Sequence, residues 1–259
     1  MVAGAFHLKR GRREALPFVP FKEKNQKTPL PEWPDPIWPF VLAAGLFLLN
    51  FVLQQTLYTL FSPYFDETVL KFVLTLLQTA LLTLPLIFIV KNRFHYPLSA
   101  LGFSRAPFWP VVGRGFLGGV LIYLLILAVS VVSALFFAPP QELQPLMQSL
   151  GVENVFIKKF MLILIVVVLA PFSEEVFYRG FLYDSLRKYL GAFWGTIGAG
   201  VIFGLIHLQL AYLLPLSLTG VALCRLYEKQ GNIWVNILAH AVFNGISVVR
   251  FFGFSNFTF

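Results

Sequence analysis

Apolar residues fall in long blocks separated by short polar loops. A helix that crosses a bilayer needs about 20 mostly apolar residues. Blocks of that kind lie at about 38–61, 68–90, 111–138, 155–172, 192–209, 210–226 and 232–253. The pattern predicts an all-α polytopic membrane protein with about seven spans. The fifth and sixth blocks are short and contiguous, so either is tilted, half-length or re-entrant.

Composition agrees. Apolar residues make up 58% of the chain and charged residues 12%, and mean hydropathy is +0.76. Soluble domains are nearer half apolar and a quarter charged. The 29 phenylalanines suit a lipid-facing surface. The net charge of +8 would suggest nucleic acid in a soluble protein, but a positive-inside bias explains it more simply, and no nucleic-acid partner is expected. Lys9, Arg10, Arg12, Arg13, Lys22, Lys24 and Lys27 precede the first span, Lys91, Arg93 and Arg105 follow the second, and Arg179, Arg187 and Lys188 follow the fourth. The intervening loops lack such clusters, apart from Lys158 and Lys159. This alternation predicts a cytoplasmic N-terminus, with the end of the fourth span on the same side. The single cysteine, Cys224, allows no internal disulfide. Residues 1–36 are basic and then Pro-rich, without a signal peptide's apolar core, and read as a cytoplasmic arm. Residues 37–259 read as one transmembrane domain.

The segment APFSEEVFYRGF, residues 170–181, stands out because it places Glu174, Glu175 and Arg179 directly after MLILIVVVL. Ionisable groups beside an apolar span read as functional. Two geometries are open at Pro171. The helix continues past it with a kink, or it breaks and Ser173 caps a new one. In both, Glu175 and Arg179 share a face and can pair, while Glu174 points about 100° away. The bland alternative is a salt-bridged helix end at headgroup level.

Two of the four histidines lie in apolar segments: His207 in GVIFGLIHLQL and His240 in NIWVNILAHAVFNGISVV. Phe203 lies one turn before His207 and Asn244 one turn after His240. A lone buried histidine is usually a satisfied core residue. Two, with a carboxylate pair, on three apolar segments point to a shared polar site. The GAFWG and GVIFG patterns before His207 permit the close helix packing such a site needs.

SEEVFYRGF, FGLIH and HAVFN, with 33 residues from Glu174 to His207 and 33 from His207 to His240, resemble the three motifs of the CPBP (CAAX protease and bacteriocin-processing) family. These are CAAX prenyl protease 2-like intramembrane proteases. The resemblance covers about residues 155–250, and Tyr178 stands where the family often has Phe. It implies about eight membrane helices and a metal-free glutamic endopeptidase. In it Glu174 and His207 would activate a water, and His240 and Asn244 would form the oxyanion hole. Glu175 and Arg179 would be a structural pair, with Phe203 beside His207.

The chemistry is reasonable without the family: a positioned carboxylate or histidine can act as base, and His and Asn can donate to an oxyanion. No GxSxG or base-paired cysteine is present. The expected partners are a protein or peptide substrate at the membrane and the bilayer itself. The expected location is the plasma (inner) membrane if the source is bacterial. No cofactor is expected. One alternative is zinc held by Glu174, His207 and His240. Another is a transporter or scaffold that uses the same buried groups.

Overall fold

A computed structural model describes residues 37–135 and 144–255. The arm expected over residues 1–36 lies outside them. Among the described residues the regular structure is helical: α1 (Trp38–Phe61), α2 (Glu67–Phe88), α3 (Phe108–Ala134), α4 (Pro145–Val152), α5 (Phe156–Leu164), α6 (Ala170–Glu174), α7 (Asp184–Leu205), α8 (Leu213–Gln230) and α9 (Ile233–Ser255). Widened π-type turns join α5 to α6 (Ile165–Leu169) and α6 to α7 (Glu175–Tyr183).

Six of the described helical stretches are long and apolar enough to cross a membrane. The protein is an all-α, polytopic, integral membrane protein. The expected boundary at residue 172 is corrected, because one helical run extends from Phe156 to Leu205. It folds back at Gly191, whose φ of 75° and ψ of 169° interrupt the helix. Glycine adopts positive φ without steric cost. The expected fourth and fifth spans are therefore two legs of a single hairpin. A Cβ on Gly195 would lie 2.8 Å from the Arg187 backbone nitrogen, so the legs touch there. The returning leg, residues 192–205, is about 21 Å long, shorter than the roughly 30 Å hydrocarbon layer.

Close packing brings the legs against α8 and α9. A Cβ on Gly200 would meet Val221 Cγ2 at 2.5 Å and the Ser217 carbonyl at 2.8 Å. One on Gly204 would crowd the Leu213 carbonyl at 2.9 Å. The GVIFG pattern thus lets α7 seat on α8. Gly119 on α3 plays the same part against Val242 on α9, where an added Cβ would approach Cβ of that valine to 2.7 Å. The main core gathers Leu86, Leu101, Phe177, Phe181, Phe203 and Tyr227 around the π-turn segment. Outside it, Leu48, Leu49 and Val52 on α1 and Phe116, Leu121 and Val131 on α3 are exposed, as a lipid-facing surface requires.

A polar clasp closes the opposite end of the hairpin leg. Asp66 caps α2, accepting from the Thr68 and Val69 backbone N–H groups at 3.1 and 3.2 Å, and it pairs with Lys158 on α5. Thr68 donates to Glu153 at 3.0 Å, and Lys71 donates to Ser149 at 2.7 Å. Lys159 lies 5.1 Å from the Phe252 ring. Lys158 and Lys159, the exceptions to the charge alternation, are thus held by an acid and an aromatic face.

Two outcomes are expected. Gly200→Ala should lower the melting temperature in detergent and Gly198→Ala should not, because the nearest atom to a Cβ on Gly198 is 3.8 Å away and alanine is the better helix former. In the clasp, the hydrogen bond from Lys158 holds the Asp66 carboxyl below its usual range. The Val155 backbone N–H does the same for Glu153. A depressed carboxylate stabilises the fold above its ordinary pKa of about 4 and loses that contribution as pH falls toward its folded value. Corrected for intrinsic rates, amide exchange across residues 66–71 and 153–158 should be flat at mildly acidic pH and rise below about pH 4.

Candidate active site

The helix does not break at Pro171. Leu169 and Glu174 keep helical dihedrals, and Ser173, fully buried, donates back to the Leu169 and Ala170 carbonyls, both at 3.1 Å. Of the two geometries open in the sequence, the continuous helix is the one formed. Ser173 is not a cap. The carboxylates therefore sit where α6 meets the second π turn. Such widened turns often occur at functional sites.

Glu175 points into the protein and is completely buried. Its Oε1 accepts from Arg179 Nη1 at 2.8 Å and from His240 Nδ1 at 2.8 Å, and its Oε2 accepts from Asn236 Nδ2 at 3.2 Å. Three donors on one carboxylate offset the cost of removing it from water. Arg179, 1% exposed, also donates to the Gly220 carbonyl at 3.3 Å. Its guanidinium lies 4.7 Å from the centre of the Phe203 ring, a cation–π contact.

Phe203 is the apolar hinge of the site. Its ring centre lies 5.0 Å from that of His207 and 6.0 Å from that of His240, with Tyr178 edge-on at 5.3 Å. His207 lies just beyond the end of α7. Its Nδ1–H donates to the Phe203 carbonyl at 2.7 Å, which leaves Nε2 available. In both histidines a fixed acceptor holds Nδ1, so Nε2 is the chemically available nitrogen. His240 Nε2 faces Glu174 Oε2 at 3.8 Å. Glu174 is 17% exposed, so the two adjacent glutamates occupy different environments. Asn244, one turn beyond His240, donates to the Val166 carbonyl at 2.8 Å.

Arg179, His207 and His240 thus lie around the Phe203 ring, Glu174 and Glu175 meet His240, and Asn244 turns toward the first π turn. Among the described residues no three His, Cys, Asp or Glu side chains converge as metal ligands.

Sequence reasoning missed Asn236. It is fully buried and divides its amide between Glu175 and the Leu223 carbonyl, the latter at 2.8 Å. The signal was present: Asn236, His240 and Asn244 recur every four residues on one face of an apolar helix. Also missed was a second polar knot, in which Tyr183 donates to Glu228 at 2.6 Å and Arg187 pairs with the same oxygen at 3.0 Å.

Residues 156–246 match the family described as "Type II CAAX prenyl endopeptidase Rce1-like". This segment is similar to that family over about a third of the chain. A protein of Bacillus subtilis (strain 168) named "Putative membrane peptidase YdiL" is 29% identical over 89 residues, which is 34% of this chain. The matched region spans only about a third (36%) of that curated relative. No solved structure matches the chain. The Rce1-like segment holds every site residue named above, Asn236 included. α2 and α3 lie before it in sequence yet pack against it.

Removing one partner of the buried ion pair tests the hub. Arg179→Met should cost about 3–5 kcal/mol, the usual penalty for an uncompensated buried charge. Removing both charges, with Glu175→Leu added, should cost less than the single substitution. Melting curves of the purified variants measure the difference.

Proposed function

We propose that this protein is an intramembrane endopeptidase that hydrolyses a peptide bond of a membrane-associated or lipidated protein or peptide with a water activated by Glu174 and His207. The observation that carries the reading is the Glu174–His240 pair. A partly open carboxylate faces a histidine across 3.8 Å, and that histidine is held from behind by a buried carboxylate that is itself paired. Such layered support for a reacting group is what hydrolytic sites need. The Rce1-like match and the similarity to a protein named as a membrane peptidase support the same class.

In this mechanism Glu174 takes a proton from water while Nε2 of His207 orients it. The resulting hydroxide attacks the scissile carbonyl. His240 Nε2–H and the Asn244 amide donate to the oxyanion, which requires a proton on both ring nitrogens of His240. Glu174 then returns its proton to the leaving amine as the C–N bond breaks. Each oxyanion donor contributes about 100–1000-fold in rate. A separation of 3.8 Å suits an unliganded site, because catalytic hydrogen bonds commonly tighten only in the complex. Arg179 and Asn236 touch no reacting atom and serve as positioning residues.

The test compares protein termini in membranes and medium of cells carrying the wild type or Glu174→Gln at matched, correctly inserted levels. A small set of cleaved termini should disappear with the substitution, and those termini identify the substrate. Identical profiles would overturn the protease reading. Proton-driven flux lost in the same variant would favour transport.

A further inference from the structure

Pro171 creates a specific defect in the helix that carries Glu174. In the turn before it, the Ala170 N–H donates to the Ile165 carbonyl, five residues back. In that register the next carbonyl, Val166, would receive the N–H of residue 171. Proline has none. Val166 is only 7% exposed, and a backbone carbonyl left without a donor in an apolar layer is costly. The carbonyl is nonetheless satisfied, because Asn244 Nδ2 reaches it at 2.8 Å from α9, 78 residues further along the chain.

We propose that Asn244 supplies the hydrogen bond that Pro171 removes, and that this contact sets the separation of Glu174 and His240. Pro171 lies three residues before Glu174 on one helical run, and Asn244 lies four after His240 on the other. The bond therefore fixes the two helices about one turn from His240 on α9 and about two turns from Glu174 on the other run. On its other side the pair is fixed by His240 to Glu175 at 2.8 Å and by Asn236 to Glu175 at 3.2 Å. α9 is thus tied to the glutamate-bearing run at three successive turns. Between Glu174 and His240 themselves the gap is 3.8 Å, beyond hydrogen-bond length, so the flanking contacts must hold it. The carbonyl also fixes the orientation of the amide, since only the nitrogen end can donate. Its second N–H remains for the oxyanion. Pro171 and Val166 are positioning residues, and Asn244 has a positioning role in addition to any donation to substrate. The positioning role rests on the protease reading; the bond itself does not.

A double-mutant cycle with Pro171→Ala, which restores the missing N–H, separates the two. Asn244→Ala should lower the melting temperature of the purified protein by about 2–4 °C when Pro171 is present. With Pro171→Ala the same substitution should cost less than half as much. Equal losses in both backgrounds would overturn the proposal, whatever the protein cleaves. Production of the Glu174-dependent termini should fall in Pro171→Ala alone, which keeps the Asn244 amide for the oxyanion but lets the backbone take over the Val166 carbonyl and so loosens the tie to α9. Coupled stability with undiminished cleavage in Pro171→Ala would overturn the positioning role, because a donor that acts only on the oxyanion has no need of the Val166 carbonyl. Should Pro171→Ala not fold, Asn244→Asp decides. An acceptor facing the Val166 carbonyl should cost more than alanine, and a smaller loss would overturn the proposal.

Discussion

A carboxylate with no access to water must be surrounded by donors, and Glu175 is the group on which the rest of this structure depends. Arg179, His240 and Asn236 converge on its two oxygens. Those three side chains come from the π-turn segment and from α9. Arg179 also bonds the Gly220 carbonyl on α8. Satisfying one charge thus requires three helical segments to meet at one depth. The glycines of α7 and α8 permit that meeting, since a Cβ on Gly220 would lie 2.8 Å from the Gly200 Cα. Packing and electrostatics impose the same geometry here.

The same constraint gives the two glutamates different roles. Adjacent residues on a helix diverge by about 100°, so one carboxylate can be fully enclosed while its neighbour stays partly open. Glu175 then orients His240 from behind, and Glu174 faces it from the front. The π turns on either side widen the helix at the place where this divergence is used. Pro171 contributes to the first of them, and the carbonyl it leaves unmatched is satisfied from α9.

Much of this was legible in the sequence, because chemistry that repeats at one-turn spacing leaves a local trace. Glu175 with Arg179, Phe203 with His207 and His240 with Asn244 are each four apart, and each pair makes contact or shares a face in the fold. What sequence reading could not reach depends on contacts between distant segments. Asn236 takes its role from the approach of Glu175, which lies 61 residues away in sequence. The hairpin at Gly191 was read as a gap between two spans, because a hydropathy pattern records apolar length and not a change in direction. Lys158 looked anomalous because its partner Asp66 is 92 residues away. The choice between a kink and a break at Pro171 was open for a related reason. It turns on whether a distant side chain can replace the lost hydrogen bond.

The central claim is that the buried Glu175 carboxylate holds His240 through Nδ1 and so presents Nε2 to Glu174. Solid-state ¹⁵N NMR of histidine-labelled protein in lipid, with the His240 signals assigned by loss in His240→Gln, tests it directly. The account predicts a protonated Nδ1 in a strong hydrogen bond, which weakens in Glu175→Gln. A neutral ring carrying its only proton on Nε2, with signals unmoved by that substitution, would contradict it.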